Sequence, residues 1–206
     1  MKLTLIAIAA LVSTTAANAV LVQGTPTPLG TPANPVPRFG TLISFDDVAT
    51  GSALVANHYA GVGVTSVANT LGPALGYYAT SQSGINYVGT GAGVGWAADI
   101  LVEFSALQAA VGIGIAGPTT LTFQLLDAGM SVLEGYNLTT TPTNTYYYIN
   151  RLTNDTKYLR VAGSFVAIDD LQFDVKTVTT VPEPETYALM LAGLGALGFM
   201  ARRRKR

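Results

Sequence analysis

Two aspartate pairs, Asp46-Asp47 and Asp169-Asp170, are the residues in this chain best suited to chemistry. Each pair adjoins a short apolar run, so each stands where a strand meets a turn. If the first and last strands of the domain lie side by side, all four carboxylates gather at one rim. A hard cation such as Ca²⁺ takes roughly six to eight oxygens, which carboxylates and turn carbonyls supply. The competing expectation is that these aspartates cap turns by accepting hydrogen bonds from nearby backbone. Strand alternation also restricts a metal site. Neighbours on a strand point to opposite faces, so only one of each pair faces a shared ion unless a bulge intervenes.

Aromatic residues make a second candidate. Tyr146 and Tyr148 share one face of a predicted strand, and Trp96 follows the glycine-rich loop 89–95. Flat rings with polar tips stack on sugar faces and suit a glycan ligand, although cross-strand aromatic packing is the commoner use of such residues. Asp99 and Glu103 also share a strand face and are formally a glycosidase pair, whereas a solvated sheet face is their ordinary setting. Other chemistries lack their parts. His58 is the single histidine and no G-x-S-x-G elbow accompanies it. Gly89, Gly91, Gly93 and Gly95 lack nucleotide-loop spacing. The absence of cysteine removes disulfides, thiolate metal sites and thiol nucleophiles together. The expectation is a domain without catalytic residues.

The elements that position these residues read as β throughout. The middle of the chain is rich in Gly, Thr, Val and Tyr and poor in Lys and Glu. Strands are predicted near 41–45, 63–67, 86–88, 100–104, 110–116, 120–126, 131–136, 145–149, 158–162 and 171–175. Alternation is cleanest where Leu121, Phe123 and Leu125 oppose Thr122 and Gln124. Val111, Ile113 and Ile115 alternate with Gly112, Gly114 and Ala116, so that strand should press its small face against a backbone or a bulky side chain. Residues 105–110 read as a turn of helix. Many short strands with no intervening helical period predict an antiparallel β-sandwich. Five prolines within 23–38 predict an extended linker over 20–38, which places the folded domain at 39–176.

The two ends carry a different kind of information. Lys2, the apolar run 3–12 and Ala17-Asn18-Ala19 follow the plan of a secretory signal peptide, 1–19, cleaved after Ala19. Residues 177–206 form a C-terminal tail. In it, 186–200 is almost wholly apolar and ends against Arg202, Arg203, Arg204, Lys205 and Arg206. Fifteen helical residues rise about 22 Å, short of the roughly 30 Å hydrocarbon core, so this span is a marginal anchor that suits temporary residence in the inner membrane. The basic cluster should stay cytoplasmic and leave the domain outside. With Lys2 and that cluster set aside, the body carries five basic residues against ten acidic ones, about −5, which gives no electrostatic reason to bind nucleic acid.

Pro182-Glu183-Pro184, the apolar span and the terminal basic cluster together resemble the PEP-CTERM sorting signal of Gram-negative bacteria. That resemblance covers about the last 26 residues. It implies a substrate of an exosortase, a membrane transpeptidase acting near the PEP motif, after signal peptidase has removed the leader. The destination it implies is the cell surface or the extracellular polysaccharide matrix. The runs Ile43-Ser44-Phe45-Asp46-Asp47-Val48 and Ala167-Ile168-Asp169-Asp170-Leu171-Gln172-Phe173 look like the first and last strands of jelly-roll domains similar to carbohydrate-binding modules. The expected function is therefore a non-enzymatic binding or structural domain at the surface, with extracellular polysaccharide as its partner. A secreted polysaccharide hydrolase using Asp99 and Glu103 is the alternative.

Overall fold

Every apolar run in the middle of the chain must bury one face, and the short β-branched segments do so by pairing into two antiparallel sheets. The computed structural model describes residues 19–175 apart from 30, 37, 75–78, 91–98 and 119. The chain divides into two units, Met1–Lys176 and Thr177–Arg206, and only the first contains described residues. Its strands are β1 (Leu21–Gln23), β2 (Thr41–Ile43), β3 (Val64–Ala68), β4 (Leu71–Ala74), β5 (Tyr87–Gly89) and β6 (Ile100–Gln108). They continue with β7 (Ala110–Ala116), β8 (Thr120–Leu126), β9 (Val132–Thr139), β10 (Thr145–Asn150), β11 (Thr156–Ala162) and β12 (Ala167–Asp174).

One sheet runs β1-β10-β7-β12-β5-β4, with β2 also paired to β12; the other runs β3-β6-β11-β8-β9. The core lies between them. Ile100, Val102 and Phe104 of β6 and Leu121, Phe123 and Leu125 of β8 come from the smaller sheet. They meet Val111, Ile113 and Ile115 of β7 and Ile168, Leu171 and Phe173 of β12. Phe104 and Phe173 cross the interface with ring centroids 5.1 Å apart. The antiparallel sandwich is therefore the architecture, and the alternation read in β7 and β8 sets which side chains fill it.

Three expectations change. Residues 105–110 are not helical: β6 continues to Gln108, which pairs with Thr156 of β11 past a bulge. Leu71–Ala74 is a strand despite its glycine and proline, and it lies at the sheet edge, where a missing N–H costs no ladder bond. The largest change concerns 20–38. Leu21–Gln23 pairs with β10 in the register Leu21↔Ile149, and the Gly24 N–H donates to the Tyr146 carbonyl at 2.7 Å. From there the chain crosses the outer face of the larger sheet as a strap. Leu29 and Val36 are buried with Tyr146, flanked by Phe39, Leu42 and Tyr148. Asn34 holds the strap's own turn, its Nδ2 donating to the Thr27 carbonyl at 2.8 Å. Prolines keep a segment out of a ladder but do not keep its apolar neighbours out of a core.

Candidate functional site

Pairing of β2 with β12, in the register Leu171↔Ile43, brings the ends of the domain together and the aspartate pairs with them. The loop 82–86 lies between the pairs and is clasped from both sides. Asp46 Oδ1 accepts the N–H groups of Ile85 at 3.1 Å and Asn86 at 3.0 Å. Asp169 Oδ2 accepts those of Gln82 at 2.6 Å and Ser83 at 3.1 Å, and its Oδ1 accepts the Asp170 N–H at 2.8 Å. Ser83 Oγ donates to Asp170 Oδ1 at 2.6 Å. Three of the four predicted aspartates therefore act on one loop.

A bulge in β12 explains how Asp169 and Asp170 act together. The β12–β7 register shifts between Asp169 and Gln172, and Asp170 adopts φ 46°, in the left-handed region. Both carboxyls are buried. Burial first, and the neighbouring Asp170 charge second, push Asp169 up to about 8 against the pull of three backbone N–H donors. Burial likewise raises Asp170, opposed by the Ser83 hydroxyl and the Arg38 charge.

Asp47 turns away from this group. Its Oδ1 accepts the Tyr59 hydroxyl at 2.7 Å and its Oδ2 lies 3.2 Å from His58 Nε2. Burial works to raise the Asp47 carboxyl, but the Tyr59 and His58 bonds together hold it below the usual range. Tyr59 is pushed up by burial and by its bond to Asp47. Asp47 and His58 remain largely open, with side chains 59% and 38% exposed. Beside them opens a cleft of about 270 Å³, lined by β2, Ser44, Asp47, Tyr59 and Val62. The four aspartates do not form one metal centre. Among the described residues, no three His, Asp or Glu side chains converge in a way that could hold an ion.

The other candidates are dispersed. Tyr146 is fully buried beneath the strap, its hydroxyl accepting from Gln172 Nε2 at 2.8 Å, so it presents no face to a sugar. Tyr148 packs on Phe39 with ring centroids 4.9 Å apart. Both follow the cross-strand packing alternative. Trp96 lies outside the described residues, as do Ala17, the motif Pro182, Glu183 and Pro184, and the basic cluster. Asp99 is ion-paired with Arg160, whose Nε donates at 2.8 Å; Glu103 is paired with Lys157 at 3.1 Å. Each carboxylate has its own cation.

Sequence reasoning missed Arg151, which joins Asp155 through two bonds of 2.7 and 2.8 Å and also reaches Glu134. In the unprocessed chain Ala19, the last residue of the expected leader, joins the same corner, its N–H donating to Glu134 at 3.3 Å and its carbonyl accepting from Tyr136 at 2.8 Å. The Arg151–Asp155 spacing of four was legible, but four residues apart suggests a helix pair, and only the turn between β10 and β11 brings these two together.

Among the described residues no helix is long and apolar enough to cross a membrane; the expected span at 186–200 lies outside them. Over residues 180–205 the chain matches the PEP-CTERM protein-sorting motif, a match that takes in Pro182, Glu183 and Pro184 together with Arg202 to Lys205. No curated protein and no solved structure matches the chain.

Proposed function

We propose that this exported, exosortase-targeted surface protein is a non-enzymatic β-sandwich that serves the cell envelope or the extracellular matrix by binding polysaccharide. The sorting motif supplies the address. The observation that carries the binding role is the cleft beside Asp47. It joins the exposed Asp47 carboxylate, Ser44, Tyr59 and the apolar Val62 within one sugar-sized opening. Carboxylates accept hydrogen bonds from sugar hydroxyls, and apolar side chains cover the C–H faces between them. Against catalysis stands the pairing of Asp99 with Arg160 and of Glu103 with Lys157. A glycosidase pair needs both carboxyls free to act on one glycosidic bond, and here each is engaged by its own cation.

Titration of the intact protein against surface polysaccharide and a panel of defined glycans tests this. Asp47→Asn should weaken binding roughly tenfold, because a charge-assisted bond is replaced by a neutral one. Glu103→Gln should leave binding unchanged. Polysaccharide shortening that disappears in Glu103→Gln would replace this reading with the hydrolase. Binding indifferent to Asp47→Asn would move the ligand away from the cleft.

A further inference from the structure

Beneath the strap, the outer face of the larger sheet holds polar groups that no protein atom satisfies. Asp169 and Gly114 are cross-strand partners in β12 and β7, so the Asp169 side chain and the missing Gly114 side chain point to the same face. The absent side chain lets neighbouring groups close directly over the Gly114 backbone. A Cβ on Gly114 would collide with Asn144 Oδ1 and stand 2.9 Å from the Gln82 Cβ and 3.1 Å from the Asp169 carbonyl oxygen. Asn144 is 0% exposed, yet neither its Oδ1 nor its Nδ2 has a hydrogen-bond partner. Gln82 is 2% exposed; its Nε2 donates to the Thr25 carbonyl at 3.0 Å and to that of Thr27, which leaves Oε1 without a partner.

Beside these amides lie Asp169 and Asp170, both buried. Among the described residues no Lys, Arg or His forms an ion pair with either of them. Arg38 acts on Asp170 only as a more distant charge. Folded proteins rarely leave buried amides unpaired, and adjacent buried carboxyls must either hold a proton or face a cation. A cation answers both needs at once.

We propose that a divalent cation of the Ca²⁺ class binds beside Gly114, held by the carboxylates of Asp169 and Asp170 and the amide oxygens of Asn144 and Gln82. An all-oxygen donor set mixing carboxylates with neutral carbonyls is the set Ca²⁺ takes, whereas Zn²⁺ prefers nitrogen and sulfur. The site differs from one drawn through all four sequence aspartates. Asp47 belongs to the cleft, Asp46 caps the loop, and the amides take their place. It also has a structural consequence. Gln82 packs its Cβ over Gly114 and donates its Nε2 to the strap carbonyls of Thr25 and Thr27, so an ion held by Oε1 of the same amide tightens the strap over Tyr146.

The test is calcium binding by the intact protein after EDTA treatment, read by calorimetry and by thermal melting. The expected result is one ion per chain, with Kd near the ~10⁻⁴–10⁻³ M of extracellular modules. At a hundredfold excess over Kd the midpoint should rise by about 5–10 °C. Asn144→Ala removes only side-chain atoms that make no hydrogen bond, so its midpoint in EDTA should match the parent while its Ca²⁺ response falls at least tenfold. Asp169→Asn should lose the response altogether, and Asp47→Asn should keep it. No bound ion in the parent, or a response that survives both Asn144→Ala and Asp169→Asn, would overturn the proposal and leave the two amides to ordered water.

Discussion

At the scale of single residues, a close fit joins Gly112 and Tyr146. The two lie on neighbouring strands β7 and β10, and the tyrosine ring folds over the glycine. A Cβ on Gly112 would stand 2.6 Å from the Tyr146 hydroxyl and 2.9 Å from its ring. The ring cannot retreat, because Leu29 and Val36 close over it and its hydroxyl is bonded to Gln172. Gly112→Ala should therefore destabilise the domain by about 1–3 kcal/mol, the usual cost of overpacking, even though alanine adds only one methyl group. Denaturant melting checks this, and adding Tyr146→Phe should recover part of the loss, since it removes the nearest atom while the ring edge at 2.9 Å stays in place. A Gly112→Ala midpoint equal to the parent's would mean that the strap lifts freely. The sequence predicted that the glycine face of this strand would meet a bulky group, because small residues alternating with β-branched ones leave a groove. Which group fills it depended on strand order, and no periodicity encodes that.

Among the elements, the strap departs furthest from expectation, and it also determines what the aspartates can do. Five prolines rule out a ladder between 24 and 38 but say nothing about where Leu29 and Val36 place their side chains. A local pattern reports hydrogen-bonding capacity; burial depends on whether an apolar surface elsewhere in the chain is left uncovered. That surface is Tyr146 and Tyr148 on the outward face of β10. The β12 bulge was hidden for a similar reason. Alternation predicts that Asp169 and Asp170 point apart, and only the slipped pairing with β7 turns them to one loop. By contrast β7, β8 and β10 were legible, because each contrasts its two faces within its own seven or so residues. If the strap is a structural layer, Leu29→Ala should cost about 2–3 kcal/mol, within the range for a buried leucine. Amide exchange should speed up across 21–36 and along β10, with β6 and β8 unchanged. Normal protection in that variant would return 20–38 to the role of a linker.

For the whole molecule, the sorting motif governs where the domain works. The sandwich contains no cysteine and needs no oxidant to mature. The cation proposed for its buried carboxylates is one that is abundant outside cells and scarce within them. The sorting motif at 180–205 belongs to a unit separate from the sandwich and should act independently of it. Replacing Pro182, Glu183 and Pro184 with alanine should leave the leader cleaved after Ala19 and the Ca²⁺ response intact. The protein should nevertheless stay in the inner-membrane fraction, held by the apolar span and by Arg202, Arg203, Arg204, Lys205 and Arg206, instead of reaching the surface. Fractionation with intact-mass measurement distinguishes the outcomes. A parent protein shortened near residue 182, beside a variant that retains its basic tail, is the expected pair. If both proteins reached the surface at equal mass and in equal amount, the motif would be no more than a proline-stiffened spacer before an ordinary anchor.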